Sequence, residues 1–401
     1  MKLRPTLIVL MVLFASCQRT QRMPEKSFWT GTLELAPGVD LPFQMNLDFS
    51  GLKPSGYFLN GEEKTSIPEI ERDGKDVTLK FSEYSAEMRA TWDGSGLRGN
   101  YSRIRSTGTK SLKFTASPET EPAPAARVDS TVATGNYQVG ETTVAKLWSK
   151  DGASYGTFIA TDGDLGLLVG RAAAAGKGLQ LNRFNGWQAI SIVLGQADDG
   201  TLRGKYYAAS NDKPQDLVLR PRADLNIQIP ERQQTAMKDA GAGYAFSGVS
   251  LDGQTVRSTD ERFKGKALIV DIMGTWCHNC LDEAPLLAQL QREHGKDGLE
   301  IVGLAFEISD DPALAKKNLQ LFKDRFGITY TLLFCGSLDD ENIKKQIRSQ
   351  VDHFFAYPTT FFLDKNHKVQ FVHSGFNGPG TGEGFQAQIK EFQEAVGRLG
   401  L

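Results

Sequence analysis

The stretch from Ala267 to Cys280 constrains the fold of this 401-residue chain more than any other. Residues 267–273 are apolar apart from Asp271 and predict a buried strand. After the Gly274-Thr275 break, apolar residues recur at spacings of three and four as far as His294, which predicts a helix packed on a sheet. Cys277 and Cys280 therefore lie where a strand ends and a helix begins.

This position favours thiol chemistry. Free N–H groups and the positive end of the helix dipole stabilise an anion at a helix tip, so we expect Cys277 to ionise and attack. Cys280, one turn later, is near enough to close a disulfide with it. A structural zinc site needs about four ligands, and Cys335 is the only other cysteine beyond the N-terminus. A haem attachment site needs His after the second cysteine, where this chain has Leu281. We therefore predict a redox dithiol, with no metal and no cofactor besides its own disulfide.

Further motifs accompany the cysteines: Trp276 before them, Pro285 within the helix, Tyr357-Pro358-Thr359-Thr360, and the glycine-rich turn 375–382. With these motifs, residues 241–401 resemble the TlpA-like, ResA-related branch of the thioredoxin superfamily. That branch comprises lipid- or membrane-anchored thiol-disulfide oxidoreductases of bacterial envelopes. The resemblance implies an α/β thioredoxin-like fold, a mixed sheet with helices on both faces. It also implies catalysis by thiol-disulfide exchange with protein disulfides. An upstream thiol donor, which the sequence does not identify, would then reduce the enzyme.

The resemblance also implies roles for neighbouring residues. Pro358 would be cis and would place the backbone of Tyr357 beside the sulfurs, with Thr359 following. Glu283 falls where relatives carry a carboxylate, which could relay a proton to Cys280; otherwise it is a surface acid favoured by the helix dipole. Trp276 would shield one side of the site.

The two residues between the cysteines leave more open. His278 could stabilise the Cys277 thiolate when protonated or simply be solvated. Asn279 stands where many relatives have proline, which leaves the redox poise open. We expect Cys335 to be a packed thiol.

The N-terminus predicts export. Lys2 and Arg4 precede an apolar run too short to span a bilayer, and the run ends at Cys17 in a sequence that resembles a bacterial lipobox. We expect a signal peptide at 1–16, lipidation of Cys17, a tether at 17–27 and a location in the bacterial envelope, on the periplasmic side. An ordinary secretory signal is the alternative.

Between the tether and the thioredoxin-like region, one pattern occurs twice. Leu97-Arg98-Gly99-x-Tyr101 recurs as Leu202-Arg203-Gly204-x-Tyr206, and two upstream cues recur in the same order. Alternating apolar runs broken by turn residues predict all-β structure, a small barrel or sandwich. We predict β module 1 at 28–117, a Pro/Ala-rich linker at 118–130, β module 2 at 131–222 and a connector at 223–240.

These modules carry no catalytic set, so we expect them to bind, space or orient. Their tryptophans, Trp29, Trp92, Trp148 and Trp187, fit a core better than a ligand-binding face. A net charge of −2 gives no reason to expect nucleic acid as a partner.

The hypothesis is an envelope oxidoreductase that reduces protein disulfides at Cys277 and Cys280. One alternative is a non-enzymatic binding lipoprotein that works through its β modules. Another is a peroxiredoxin-like peroxidase, whose motif would need Thr and Pro where Gly274 and Val270 stand.

Overall fold

A computed structural model describes residues 22–105, 108–123, 134–173, 178–222 and 234–401. The predicted signal peptide, Cys17, most of the linker and part of the connector lie outside the described residues. Within the described part, no helix has the length and apolar character needed to cross a membrane. The predicted fold class is confirmed: two antiparallel all-β modules precede an α/β domain.

β module 1 is a sheet of nine strands in the order β4-β3-β2-β1-β9-β8-β7-β6-β5. A backbone hydrogen bond from the N–H of Ile67, the residue after β4, to the carbonyl of Gly56 in β3 (2.9 Å) extends the pairing of these two strands. The strands are β1 (Lys26–Ala36), β2 (Val39–Asp48), β3 (Ser55–Asn60), β4 (Glu63–Ser66), β5 (Glu69–Asp73), β6 (Asp76–Phe81), β7 (Ala86–Trp92), β8 (Leu97–Arg105) and β9 (Gly108–Glu119).

β module 2 repeats the central part of this order, with β10-β18-β17-β16-β15-β14 in place of β1-β9-β8-β7-β6-β5. Here the ring closes because β12, next to β14, also pairs with β11. The result is a barrel with β13 as a flap on β12. The strands are β10 (Gly135–Val139), β11 (Thr143–Lys150), β12 (Ala153–Ala160), β13 (Gly163–Asp164), β14 (Leu168–Ala172), β15 (Leu179–Phe184), β16 (Ala189–Gln196), β17 (Leu202–Ala208) and β18 (Gln215–Pro221).

The repeated sequence motif lies on equivalent strands, β8 and β17. Its glycine is needed for the same reason in both modules. A Cβ on Gly99 would lie 1.8 Å from the carbonyl oxygen of Arg89, and one on Gly204 would lie 1.8 Å from that of Val193. A shared central strand order and a shared steric constraint are what duplication of one unit would produce.

The α/β domain has a seven-stranded sheet in the order β21-β20-β24-β23-β22-β26-β27. Strands β22, β23 and β24 are parallel, and β26 runs antiparallel to β22. The strands are β20 (Ser247–Ser250), β21 (Thr255–Arg257), β22 (Ala267–Met273), β23 (Leu299–Glu307), β24 (Thr331–Ser337), β26 (Thr359–Leu363) and β27 (Val369–Ser374), beside a separate pair, β19 (Ala236–Met237) and β25 (Val351–Asp352). The helices are α1 (His278–His294), α2 (Pro312–Phe326), α3 (Asp340–Ile343) and α4 (Glu383–Gly397).

Strand β22 separates two apolar clusters, as the alternation of a strand requires. Ile269 and Met273 belong to the cluster formed with α1, α2 and α4. Leu268, Val270 and Ile272 face the other cluster, which includes residues of α3. The sheet is therefore covered on both faces, and α1 starts at the end of its central strand.

Three boundaries differ from the sequence-based expectation. The tether and the linker each lose residues to strands, because β1 begins at Lys26 and β9 ends at Glu119. Pro118 fits in β9 because it pairs there only with Trp29 of β1, beyond the last residue that pairs with β8. The connector contains β19.

Candidate active site

The dithiol lies on a turn that a buried carboxyl group anchors. Glu307, at the end of β23, accepts hydrogen bonds from the backbone N–H of Thr275 (3.0 Å) and from its hydroxyl (2.7 Å). Because β22 and β23 are adjacent parallel strands, this contact fixes the chain between the strand and α1. The cysteines that follow are thus positioned by the sheet itself.

Cys277 is the N-cap of α1, as expected for a cysteine at a helix tip. Its Sγ accepts a hydrogen bond from the backbone N–H of Cys280 (3.2 Å) and donates one to the carbonyl of Tyr357 (3.4 Å). Backbone N–H groups in the first turn of a helix have no acceptor within the helix. One that donates to the Cys277 sulfur therefore stabilises the thiolate. Cys277 is 6 % exposed and Cys280 is 2 % exposed, and both are free thiols.

The loop before β26 forms the opposite wall of the site. The Tyr357–Pro358 peptide bond is cis. Trp276 packs edge-on against the ring of Tyr357 and donates a hydrogen bond through its Nε1 to the carbonyl of Phe306 (2.8 Å). Thr359 is buried, and its hydroxyl donates to the carbonyl of Ala356 (2.9 Å). These contacts hold the loop backbone beside Cys277.

Two buried carboxyl groups lie behind Cys280. Glu283 is fully buried and accepts a hydrogen bond from the Thr360 hydroxyl (2.7 Å), so it is not the surface acid of the alternative interpretation. Burial raises the pKa of Glu283 well above its usual value, and the neighbouring Asp271 raises it further. Burial likewise raises the pKa of Asp271.

Cys280 belongs to the same electrostatic group. Burial raises the pKa of the Cys280 thiol well above its usual value, and Cys277 and Asp271 add to the shift. No role for Asp271 was predicted from the sequence, although a signal was present. Asp271 is the only charged residue in β22, and the period of two places it on the face of Ile269 and Met273, toward α1.

His278 fits neither sequence-based alternative. Its side chain is buried rather than solvated, packs on the ring of Trp187 from β module 2 (5.6 Å between centroids) and lies 3.3 Å from a carboxylate oxygen of Asp282. Burial lowers the pKa of His278 well below its usual value, and the cationic Arg183 lowers it further. The ring is therefore neutral at neutral pH and supplies no positive charge to Cys277.

β module 2 reaches the dithiol directly. The side-chain amide of Asn279 donates to the backbone carbonyl of Asp162 (2.9 Å). The carboxylate of Asp164 accepts from the backbone N–H of Gly378, in the glycine-rich turn of the α/β domain. The flap β13 and this turn also form a parallel bridge between Gly163 and Phe376. Thus one residue between the two cysteines is bound to another module.

A cleft of about 650 Å³ lies between β module 2 and the dithiol. Cys277, Trp276 and Tyr357 line one side, and Trp187 and Tyr206 are among the residues of the other. Trp187 was expected to pack in a core, as Trp29 and Trp92 do. Its place beside the dithiol depends on how the modules dock, for which the local sequence holds no signal.

Among the described residues, neither the third cysteine nor a metal cluster adds to the site. Cys335 is buried in β24, and burial raises its pKa to about 12, as for a packed thiol. In the part of the chain that the structure describes, no group of three or more His, Cys, Asp or Glu side chains could hold a metal ion.

Known proteins resemble this α/β domain. Residues 242–372 match the model of the AhpC/TSA family. The thiol-disulfide oxidoreductase ResA of Geobacillus thermodenitrificans (strain NG80-2) is 31 % identical over 146 residues, which cover 36 % of this chain and 73 % of that protein. The thioredoxin-like protein YneN of Bacillus subtilis (strain 168) is 26 % identical over 148 residues, 37 % of this chain and 78 % of that protein.

Among solved structures, a thioredoxin-family thiol:disulfide interchange protein from Chlorobium tepidum TLS is 26 % identical, with a TM-score of 0.29 and coverage of 40 % of this chain and 94 % of that one. The ResA match extends over most of ResA and includes the domain that holds the dithiol. The chain therefore belongs to the ResA-related, thioredoxin-like thiol-disulfide oxidoreductases.

Proposed function

We propose that Cys277 and Cys280 carry out dithiol exchange with protein disulfides and that the reaction runs toward reduction of the substrate. The observation that carries the proposal is the position of the Cys277 sulfur. It lies at the N-terminus of α1, 3.2 Å from the N–H of Cys280 and 3.4 Å from the carbonyl of Tyr357. No metal or cofactor takes part in this scheme.

The exchange conserves electrons and atoms. The Cys277 thiolate attacks one sulfur of the substrate disulfide, the S–S bond breaks, and the other sulfur leaves as a thiolate that takes up a proton. Cys280 then loses its proton and attacks Cys277 in the mixed disulfide, which releases the second substrate thiol. The substrate gains two electrons and the protein ends with a Cys277–Cys280 disulfide. An external thiol donor must reduce it again.

The buried carboxyl groups fit the second step. Cys280 has a raised pKa and must be deprotonated before it attacks. Asp271 contributes to that raised pKa and also raises the pKa of Glu283, so the two carboxyl groups form a chain that leads away from Cys280. We assign them as a proton relay: because their raised pKa values keep them protonated near neutral pH, the pair must pass a proton on before it takes up the proton of Cys280. The role proposed for Glu283 is thereby extended to a pair.

Location follows from the N-terminus. The lipobox-like sequence ending at Cys17 supports cleavage before this residue and lipidation of its thiol, which would tether the enzyme to a bacterial membrane on the periplasmic side. The relatives named thiol-disulfide oxidoreductase support the exchange chemistry itself.

Trapping tests the exchange. In a Cys280→Ala protein the mixed disulfide has no resolving thiol, so we expect substrates to accumulate on Cys277 and to be released by dithiothreitol. Cys335→Ala is the matched control and should trap nothing, while Cys277→Ser combined with Cys280→Ala should lose every adduct. Adducts on Cys335, or none at all, would contradict the proposal.

The AhpC/TSA match makes peroxidase activity worth one test. Gly274 and Val270 stand where the peroxiredoxin motif has Thr and Pro. We therefore expect no peroxide-dependent oxidation of a thiol donor above the rate of the Cys277→Ser protein.

A further inference from the structure

The apolar core of β module 2 is open at the end that faces the dithiol. Four half-buried side chains pack against the core of this barrel and are not covered by it: Val139, Leu165, Tyr206 and Leu217. All four also line the cleft at whose other side Cys277 lies. The uncovered end of a barrel core therefore forms the wall opposite the attacking sulfur.

The wall is fixed in place by fitted contacts. Asn279 and Asp164 form hydrogen bonds across the boundary between β module 2 and the α/β domain. At this boundary the two parts also approach so closely that two glycines have no room for a side chain. A Cβ on Gly163 would lie 2.0 Å from the amide nitrogen of Asn279 and 2.6 Å from the carbonyl of Phe376. A Cβ on Gly375 would lie 2.7 Å from the carbonyl of Asp162. Such close packing on both sides holds the barrel mouth at one distance from the sulfur.

This geometry limits what can reach the sulfur. Because Cys277 is 6 % exposed, a substrate disulfide must enter the cleft before it can be attacked. The side of the cleft beside Cys277 is formed by the Tyr357 loop, whose carbonyl is 3.4 Å from Sγ, and the far side is the apolar barrel end. An extended segment fits between them, with its backbone along the loop and an apolar side chain on the barrel.

Charge discriminates between a peptide and a small anionic disulfide. Among the described residues that line the cleft, none is Lys or Arg, whereas Asp162 is exposed there. A disulfide that carries several carboxylates, such as oxidised glutathione, would find no cation among the lining residues and would be repelled by Asp162. Arg103 and Lys110, beside the cleft, already donate to the backbone carbonyls of Trp187 and Asn211. A neutral, apolar segment incurs no such penalty and gains by burial of its side chains.

We propose that β module 2 is the substrate-binding element of this oxidoreductase, and that its open barrel end selects extended polypeptide segments in which bulky apolar residues flank the cysteine. The inference rests on the proposed exchange at Cys277 and names its substrate class. Tyr206 and Leu217 contact the segment, while the sulfur chemistry stays with the α/β domain.

Two peptides test the selection. Each carries one cysteine in a disulfide with thionitrobenzoate, flanked by Phe and Leu in one peptide and by two Ser in the other. Attack by Cys277 of the reduced full-length protein releases the coloured thionitrobenzoate anion and forms the peptide–Cys277 disulfide. We expect the wild type to favour the apolar peptide by roughly tenfold in the second-order rate constant of thionitrobenzoate release, since burial of one large apolar side chain corresponds to at least this factor.

The variant Tyr206→Ser with Leu217→Ser should reduce this preference to about twofold or less. A matched control, Val193→Ser with Val218→Ser, changes two half-buried valines of the same barrel outside the cleft and should retain the preference. The wild-type ratio needs no variant, so it tests the selection even if a variant fails to fold.

Three results would overturn the inference: equal rates for both peptides in the wild type, an unchanged preference in the cleft variant, or faster reaction with oxidised glutathione than with the apolar peptide. Failure of the exchange itself looks different. In that case neither peptide would release thionitrobenzoate above the Cys277→Ser background.

Discussion

Tyr101 and Tyr206 occupy the same position in the repeated Leu-Arg-Gly-x-Tyr motif, but the two β modules use them differently. Tyr101 is fully buried and packs edge-on against Phe184 of the other module (5.6 Å). Tyr206 is half-buried and lines the cleft beside the dithiol. Module 1 therefore closes its core with the help of its partner, whereas module 2 leaves one end of its core open to the active site.

The difference shows that two copies of one fold can make different contacts. Both modules keep the central strand order and the glycine that the strands require. They differ at their ends: module 1 supports module 2 through the turn that holds Tyr84, which stacks on Trp187 (4.8 Å), and module 2 faces the α/β domain. The modules thus share a fold and differ in what their ends contact.

The largest effect should come from the equivalent tyrosines. Tyr101→Ala removes a fully buried aromatic ring and should lower the free energy of unfolding by about 3–5 kcal/mol. Tyr206→Ala removes a half-buried ring and should cost about 1 kcal/mol or less, while it weakens the preference for apolar peptides. Chemical denaturation of both variants measures the difference. Equal losses of stability would show that the two barrel ends are alike.

Two salt bridges between the modules give a second contrast. Arg183 of module 2, with no exposed side-chain surface, pairs through both terminal nitrogens with Glu63 of module 1 (2.6 and 2.8 Å). Arg183→Met leaves Glu63, Asp164 and Asp282 without their cation and should cost about 3 kcal/mol. Lys150 pairs with the adjacent Glu62 (2.7 Å), but both side chains are more than half exposed. Lys150→Met is the matched control and should change stability by less than about 1 kcal/mol. A comparable loss in the two variants would rule out the buried pair as the main link between the barrels.

The smallest effect concerns a group that neither barrel contacts. Burial raises the pKa of Asp271 to about 8, far above the value of about 4 in an unfolded chain. Between these pH values the folded protein holds a proton that the unfolded chain has released, so this group makes stability fall as pH rises. Asp271→Asn removes that dependence. The variant should gain stability over the wild type near pH 8, and the gain should shrink toward pH 4. Thermal unfolding across this range measures it, and a gain that grows toward acid would refute the assignment.

Local patterns predicted much of the α/β domain. The strand at 267–273 has its predicted bounds. Helix α2 likewise follows local sequence signals, since it begins at Pro312 after the N-cap Asp311 and ends before Gly327. Such strong local signals determine where an element begins and ends. The family and its fold class were also predicted, because the cysteine motif and the Pro358 loop lie within short, specific sequences.

Docking of the modules could not be predicted. The burial of His278, the bond of Asn279 to Asp162 and the place of Trp187 beside the dithiol all depend on contacts between residues far apart in the chain. Nothing in the neighbouring sequence distinguishes Trp187 from the buried Trp92. Asp271 differs, since a lone carboxylate on the α1 face of a buried strand was visible in the sequence.

A redox titration of the full-length protein tests the central claim most directly. The protein is equilibrated in dithiothreitol buffers of graded potential, and the Cys277–Cys280 disulfide is quantified by mass spectrometry after alkylation. We expect one two-electron transition near thioredoxin's potential of about −270 mV, absent from the Cys277→Ser protein. A transition near that of DsbA, about −120 mV, would contradict the reductive direction. No transition between Cys277 and Cys280 would contradict the dithiol account as a whole.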